Sequence, residues 1–191
     1  VFFEDWQKLF PYLRQEKEFN LFIIGDIENA KKRTDNMDLY IDADIDNPKG
    51  VLLRYYKFFI LYSFEDMNFN EAAEIIKDFG EAKVLSGKGE VIDKITPFLG
   101  DLSYDEQKSY FAVLKEPEMK NSEYNIQKMT LENSKKVTDL LSTITEFGER
   151  DDEVFLDGIK NGSARSYYLE IDGETVATAS TSAETKEMAM V

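Results

Sequence analysis

The side chains of this chain that could transfer a proton are carboxylates, tyrosines and lysines, because its 191 residues include no histidine and no cysteine. That composition excludes a thiol nucleophile, a Ser-His-Asp triad, disulfide bonds and a zinc site built on histidine or cysteine. Acid–base catalysis would therefore fall to a carboxylate, a tyrosine, a lysine or a bound water. We predict no metal site.

Two short motifs could hold an ion. Ser86-Gly87-Lys88-Gly89-Glu90 contains Gly-x-Gly and could cradle a phosphate, but it lacks the second half of a P-loop or of a dinucleotide fingerprint. A tight turn between a strand and a helix is the favoured interpretation. Asp42, Asp44 and Asp46 alternate as in a calcium loop, but the glycine and glutamate positions of an EF-hand do not match. We therefore predict a polar turn there.

The net charge of −15 argues against a nucleic-acid partner, because such a surface repels phosphates. It indicates either solubility, which is the favoured interpretation, or an attraction for cationic substrates such as amines. No stretch approaches the length of a membrane helix, about 18 consecutive apolar residues, so no membrane partner is expected. The chain begins at Val1 without a basic segment, which predicts no signal peptide. Together with the lack of cysteine, this favours a cytoplasmic protein.

The first part of the chain alternates helical and strand patterns, which is typical of a mixed α/β layer fold. Apolar spacing predicts helices over 19–30, 70–79 and within 87–99, and a helix-like segment over 3–17 that is broken by Pro11. Strand patterns cover 38–42, 51–64, 83–86 and 109–114. The second of these is long enough for two strands or one bent strand. Residues 44–50 predict a turn, and Asn70 and Gly80 are expected to cap the two ends of the third helix.

A polar segment with Pro117, over 115–121, is the predicted linker between two domains, 1–118 and 119–191. After it we predict a strand over 124–129, and then a helix that begins after an N-cap at Thr130 and ends near Phe147. A second helix is expected over 151–160.

The strongest local signal is Asp172-Gly173, which separates two runs rich in β-branched and aromatic residues, 165–171 and 174–181. Such a pair predicts a hairpin with a type I′ turn, because both central residues need positive φ. A further strand is expected to begin at Glu187. Tyr167 and Tyr168 should point to opposite faces of the sheet, one into the core and the other available to line a pocket.

The order strand, helix, helix, strand, turn, strand resembles the front half of the GNAT N-acetyltransferase superfamily. The residues that carry the resemblance are 124–130 and the hairpin over 167–179. Residues 20–29 resemble the N-terminal domain of a bacterial subgroup of two-part GNAT proteins, whose first half looks like a decayed acetyltransferase domain. The fold implied is α/β with a mixed sheet. It consists of a GNAT-like N-terminal domain and then the first half of a GNAT domain, truncated in its fourth strand.

The resemblance implies transfer of an acetyl group from acetyl-CoA to a small-molecule or peptide amine by direct attack. The family holds the pyrophosphate of the cofactor with an Arg/Gln-x-x-Gly-x-Gly/Ala turn after the fourth strand, at the N-terminus of a helix. No such turn follows the hairpin before Val191, so this chain alone is expected to be inactive. The alternative is a non-catalytic GNAT-like module for binding or interaction.

The resemblance also implies three kinds of site residue, since amine acetylation needs a base or a water chain to take the ammonium proton. The candidate bases are Glu146, Glu170 and Glu187. The candidates for contact with the amine substrate are Phe147 and Tyr168, and those for backbone contact with acetyl-CoA are Met190 and Val191.

Overall fold

The structure is a computed structural model that describes residues 3–29, 36–116, 123–145 and 152–191. The chain divides into two compact units, Val1–Val113 and Leu114–Val191. The first contains a mixed four-stranded sheet and the second a three-stranded sheet. The predicted mixed α/β class is confirmed. Most of the predicted linker lies outside the described residues.

In the first unit, three antiparallel strands are followed by a helix and a parallel fourth strand. The strands are β1 (Met37–Asp44), β2 (Asn47–Tyr55), β3 (Phe58–Ser63) and β4 (Val84–Gly87). The helices are α1 (Phe10–Leu13), α2 (Leu21–Asn29), α3 (Phe69–Phe79) and α4 (Gly89–Ile95). The sheet order is β1-β2-β3-β4, and α3 makes the crossover between the parallel strands β3 and β4.

The sheet of the first unit has an apolar core on each face, because neighbouring residues of a strand point to opposite sides. On one face, Leu53 and Tyr62 pack against residues of the N-terminal helices, including Leu13 and Ile23. Leu52 packs on the other face with residues of α3 and α4. The near-continuous apolar pattern of β2 and β3 is therefore explained by burial on both faces.

The helix-like segment over 3–17 is interrupted, as the position of Pro11 predicts. The segment consists of 3₁₀ turns at Phe3–Leu9 and Arg14–Glu16, with the four residues of α1 between them. Pro11 lies in the first turn of α1, where its missing N–H costs nothing. An α-helix running through Pro11 would lose a hydrogen bond and bring the proline ring against the carbonyl of the preceding turn.

The connection between β1 and β2 is shorter than the predicted turn over 44–50. Asp44 pairs with Asn47, so that Pro48 already belongs to β2. Pro48 lies opposite Ala43, directly beside an irregularity in the register, and such positions tolerate a residue without a backbone donor. Residues 51–64 form two strands, as one of the two alternatives predicted, with Tyr55 opposite Phe58.

The start of α3 corrects the predicted N-cap. Asn68, and not Asn70, is the cap, and its side chain accepts a hydrogen bond from the backbone N–H of Glu71 at 3.2 Å. Asn70 lies inside the first turn of the helix. Gly80 follows the last turn with φ of 71°, and the predicted C-terminal cap is thus confirmed.

The strand predicted over 109–114 does not form. All of these residues are exposed, and no strand in the described part of the chain pairs with them. β-Propensity alone does not make a strand, because the backbone groups need a neighbouring strand to bond.

The second unit is an antiparallel sheet in the order β5-β6-β7. Its strands are β5 (Ile126–Lys128), β6 (Ser166–Ile171) and β7 (Glu174–Ser180). Its helices are α5 (Ser134–Ser142) and α6 (Asp152–Asn161). The buried core contains Met129, Val137 and Tyr168.

Thr130 does not cap α5, because the helix begins later than predicted. A turn occupies 131–133, and Asn133 precedes the first helical residue. The Oδ1 atom of Asn133 accepts a hydrogen bond from the Thr130 N–H at 2.7 Å, which closes this turn. The helix ends at Ser142, before the predicted end at Phe147.

The predicted hairpin is confirmed: Ile171 pairs with Glu174 around Asp172 and Gly173, whose φ angles are 52° and 85°. The strand predicted to begin at Glu187 is wrong. Within that segment only Met190 makes a β-bridge, with Ser182. The chain therefore folds back just after β7 instead of adding a fourth strand.

One face of the three-stranded sheet is packed and the other is exposed. Tyr168 faces α5 and α6 and is only 2% exposed. On the opposite face, Tyr167 is 39% exposed, Ile171 45% and Ile126 48%. The described sheet thus has an apolar face that none of its own helices covers.

Candidate functional site

The two adjacent tyrosines of β6 have different environments, which confirms the predicted alternation. Tyr168 is the core residue and Tyr167 the exposed one. The hydroxyl group of Tyr168 donates to Oε1 of Gln127 at 3.0 Å and accepts from Nδ2 of Asn133 at 3.3 Å. Both polar functions of the buried hydroxyl are therefore satisfied inside the unit.

Glu170 lies two residues further along the same face of β6. The ammonium group of Lys136 donates to its Oε1 at 2.7 Å, and Nε2 of Gln127 donates to its Oε2 at 2.9 Å. The Lys136 nitrogen also lies 5.6 Å from the centroid of the Tyr168 ring. Gln127, Lys136, Tyr168 and Glu170 thus form one connected group, which we call the polar cluster.

The charges in the polar cluster stabilise each other. The hydrogen bond from Lys136 holds the pKa of Glu170 below its usual value, and the bond from Gln127 acts in the same direction. The hydrogen bond to Glu170 raises the pKa of Lys136. Both side chains are therefore charged at neutral pH. A carboxylate with a lowered pKa is a weaker base. Glu170 is therefore better suited to binding or orienting a positively charged group than to removing a proton from a substrate.

The structure brings together only some of the predicted site residues. Glu170 and Tyr168 belong to the polar cluster. Glu187 is exposed on the segment after β7, where its N–H donates to Oγ1 of Thr185 at 3.1 Å. Glu146 and Phe147 lie outside the described residues. The functional roles of all five stay predictions.

The two residues predicted to contact acetyl-CoA through their backbone lie at the end of the chain. The N–H and C=O groups of Met190 are both bonded to Ser182, each at 2.9 Å. Val191 is 93% exposed. A cofactor could bond to the N–H of Met190 only by replacing its bond to Ser182, whereas the carbonyl has a second lone pair. This role also stays a prediction.

Three members of the neighbourhood of Tyr168 could not be recognised from the sequence. Gln127 contacts Tyr168 because β5 and β6 pair in a register that sets these two residues opposite each other. Lys136 and Asn133 reach the same place because α5 begins at Ser134. The local pattern carries no signal for either fact, since the first depends on long-range pairing and the second on a turn that replaced the predicted cap.

The motif Ser86-Gly87-Lys88-Gly89-Glu90 joins β4 to α4, so the predicted strand-to-helix turn is confirmed. A Cβ atom on Gly87 would lie 2.4 Å from the carbonyl oxygen of Leu61, which explains the glycine by close packing of the two strands. The Lys88 ammonium group is bound by Glu16 at 2.7 Å and by Glu90 at 2.8 Å. It is thus neutralised by the protein's own carboxylates.

The acidic run near the β1–β2 connection is a polar turn, as predicted. The N–H of Asp46 donates to Oδ1 of Asp44 at 3.1 Å. The Oδ2 atom of Asp42 accepts from the backbone N–H of Asn68 at 2.7 Å. Within the described ranges, no group of three or more acidic side chains is placed to hold a metal ion.

Comparison of the chain with protein-family models, with curated proteins and with solved structures found no match in any of the three. None of the helices described above is long and apolar enough to cross a membrane. Inferences about function therefore depend on the residues themselves and on the geometry of the two units.

Proposed function

We propose that residues 124–191 are part of an N-acetyltransferase domain that transfers an acetyl group from acetyl-CoA to a small-molecule or peptide amine. The order β5, α5, α6, β6, β7 supports this proposal, because it is the order on which the resemblance to GNAT proteins depends. The tight hairpin at Asp172-Gly173 supports it as well.

The observation that carries the proposal is the exposed apolar face of the second sheet. Ile126, Tyr167 and Ile171 share this face, and each is 39% to 48% exposed. A sheet in a layered α/β domain buries its apolar faces against other elements, and a soluble protein rarely leaves such a patch open without a partner. In the proposed domain, further helices of the same fold cover this face.

The outer edge of β7 points to the same conclusion. In the described sheet β7 pairs with β6 on one side only. An unpaired strand edge invites pairing with another strand, and proteins normally cover or blunt it. A fourth strand of the proposed domain would complete the hydrogen bonds of Glu174–Ser180.

Within this proposal the polar cluster holds its own side chains in place and does not remove the proton from the amine. Each carboxylate oxygen of Glu170 already accepts a hydrogen bond, from Lys136 or from Gln127. Removal of the ammonium proton therefore falls to water, or to one of the other candidate bases, Glu146 and Glu187.

The first unit takes no part in holding the cofactor in this proposal. A pyrophosphate would need free N–H groups and positive potential at the start of a helix. At α3, the side chain of Asn68 already accepts from the N–H of Glu71, and Asp42 accepts from the N–H of Asn68. Two further acidic residues, Glu65 and Asp66, precede the cap.

The filled helix start in the first unit favours a second candidate function. At the start of α3, where a phosphate could bind, the protein's own side chains already accept the hydrogen bonds. This is expected of a non-catalytic binding or interaction module. In that case the exposed face of the second sheet would bind another protein instead of being covered by the rest of an enzyme domain.

The test is an acetyl-transfer assay on the protein as its gene encodes it. The protein is given acetyl-CoA and, in turn, primary amines, polyamines and peptides with a free N-terminus, and the release of free CoA is measured. The proposal expects transfer to at least one class of amine. A folded protein that transfers acetyl to none of them supports the binding module.

A further inference from the structure

A cavity of about 250 Å³, open to solvent on one side, lies in the first unit between the edge strand β1 and helix α3. Four apolar side chains line it: Leu52, Met67, Ala72 and Ile75. Leu39 and Ile41 also border it, but their side chains pack in the core on the opposite face of the sheet. The polar part of the lining consists of Tyr40, Asp42, Asn68 and Glu71. The cavity is somewhat smaller than sites for drug-sized ligands, so it suits a small molecule.

The two carboxylates of the cavity converge on one residue. The backbone N–H of Asn68 donates to Oδ2 of Asp42 at 2.7 Å, and the side-chain Nδ2 of Asn68 donates to Oε2 of Glu71 at 3.0 Å. Each carboxylate thus uses one oxygen, and the second oxygen of each has no partner among the described residues. No described residue of the lining is basic, so the cavity carries two negative charges that nothing in it neutralises.

An anion does not fit this site. The start of α3 would attract one, but the N–H of Glu71 already donates to the Asn68 side chain and that of Phe69 to the Met67 carbonyl, and both charged side chains of the lining are acidic. A metal ion fits poorly as well, because the described residues offer no group of three acidic ligands and hard cations prefer a full set of oxygens. The class of ligand that fits apolar side chains next to two carboxylates is therefore an organic cation.

We propose that this cavity binds a primary ammonium group attached to a short apolar or aromatic body. The ammonium donates hydrogen bonds to Asp42 and Glu71, while the body lies on Leu52 and Ile75. The half-exposed ring of Tyr40 forms one side of the site and offers a further contact for the cation. This inference does not depend on the acetyltransferase proposal, because it concerns the other unit.

The test is an NMR titration of the ¹⁵N-labelled 191-residue chain with 2-phenylethylammonium. The amide signals that should shift are those of 39–42 and 68–75. The neutral 2-phenylethanol and the anionic 3-phenylpropionate have nearly the same size, and both should bind at least about fivefold more weakly. Raising the salt concentration should weaken the binding of the amine and leave that of the alcohol unchanged.

Two variants test whether the carboxylates of Asp42 and Glu71 bind the ammonium group. Asp42→Asn and Glu71→Gln keep an oxygen for Asn68 and remove the negative charge, so each should weaken amine binding about fivefold. Glu74→Gln is the matched control, since Glu74 lies on the same helix but pairs with Lys77 at 2.5 Å and does not line the cavity. If Asp42→Asn disturbs the fold, Glu71→Gln carries the same test.

Equal binding of the amine and the alcohol would overturn the proposal. So would shifts confined to other regions, or an equal loss of affinity in Glu74→Gln and Glu71→Gln.

Discussion

The ammonium group of Lys136 on α5 lies 2.7 Å from Oε1 of Glu170 on β6. The two residues are 34 positions apart in the chain, so the pair forms only when the helix packs on the sheet. The pKa of Glu170 is lowered as a result, chiefly by the hydrogen bond from Lys136. This contact therefore reports directly on the fold of the second unit.

Replacing Lys136 with methionine should raise the pKa of Glu170 toward the usual value of about 4.3. A group whose pKa is lowered in the folded state adds stability above its unfolded-state pKa, and this stability is lost as the pH falls through the folded-state pKa. The melting temperature of the parent should thus converge on that of Lys136→Met below about pH 4. The pKa is measured by NMR titration of the side-chain carboxyl carbons.

The control for this measurement is Lys135→Met, because Lys135 pairs with Asp139 at 2.7 Å on the exposed side of α5. It should leave the pKa of Glu170 unchanged. An unchanged pKa in Lys136→Met as well would mean that the pair does not exist in solution.

Asn68→Ala should destabilise the first unit by about 1 kcal/mol, because the side chain that caps α3 is lost. Asn70→Ala should have a much smaller effect, since Asn70 lies within the first turn and alanine is the better helix former. Urea denaturation of both variants gives the two free energies of unfolding. A larger loss in Asn70→Ala would restore Asn70 as the cap and refute the position assigned to Asn68.

Gly87→Ala should destabilise the first unit by about 1–3 kcal/mol, because the new methyl group would lie 2.4 Å from the backbone oxygen of Leu61. Gly89→Ala, two residues later, meets nothing within 4 Å and should be neutral or slightly stabilising. Thermal unfolding of the two single variants makes the comparison. Similar melting temperatures would contradict the close approach of β3 and β4.

Gly173→Val should destabilise the second unit by about 1–3 kcal/mol, because a β-branched residue resists the φ of 85° at this position. Thr175→Val places the same side chain in β7, where the backbone is extended, and should cost little. The melting temperatures of the two variants are compared, and that of Gly173→Val should be the lower. No change in Gly173→Val would refute the turn.

The features that the sequence predicted correctly depend on short segments. Asp172-Gly173 carries its own turn geometry, and Gly80 ends α3 by the same kind of local constraint. The predicted cap at Asn70 was wrong by two residues, because Asn68 has the same side chain and only packing selects between them. The segment 109–114 has the composition of a strand but finds no partner strand among the described residues.

The polar cluster marks the limit of prediction for the site. Glu170 and Tyr168 were recognisable as candidates, but their partner Gln127 is 41 positions away from Tyr168 and is defined by the pairing of β5 with β6. The lowered pKa of Glu170 follows from Lys136, whose position depends on where α5 begins. Neither relationship is encoded in a local pattern.

Binding of acetyl-CoA, measured by isothermal titration calorimetry, tests the proposed function most directly. The protein as its gene encodes it should bind acetyl-CoA in the micromolar range, about −8 kcal/mol. The 191-residue chain should bind it weakly or not at all, because its sequence contains no Arg/Gln-x-x-Gly-x-Gly/Ala turn and the start of α3 is already bonded by Asn68. Absence of binding by the folded encoded protein would contradict the acetyltransferase proposal, and micromolar binding by the 191-residue chain would contradict the placement of the cofactor site.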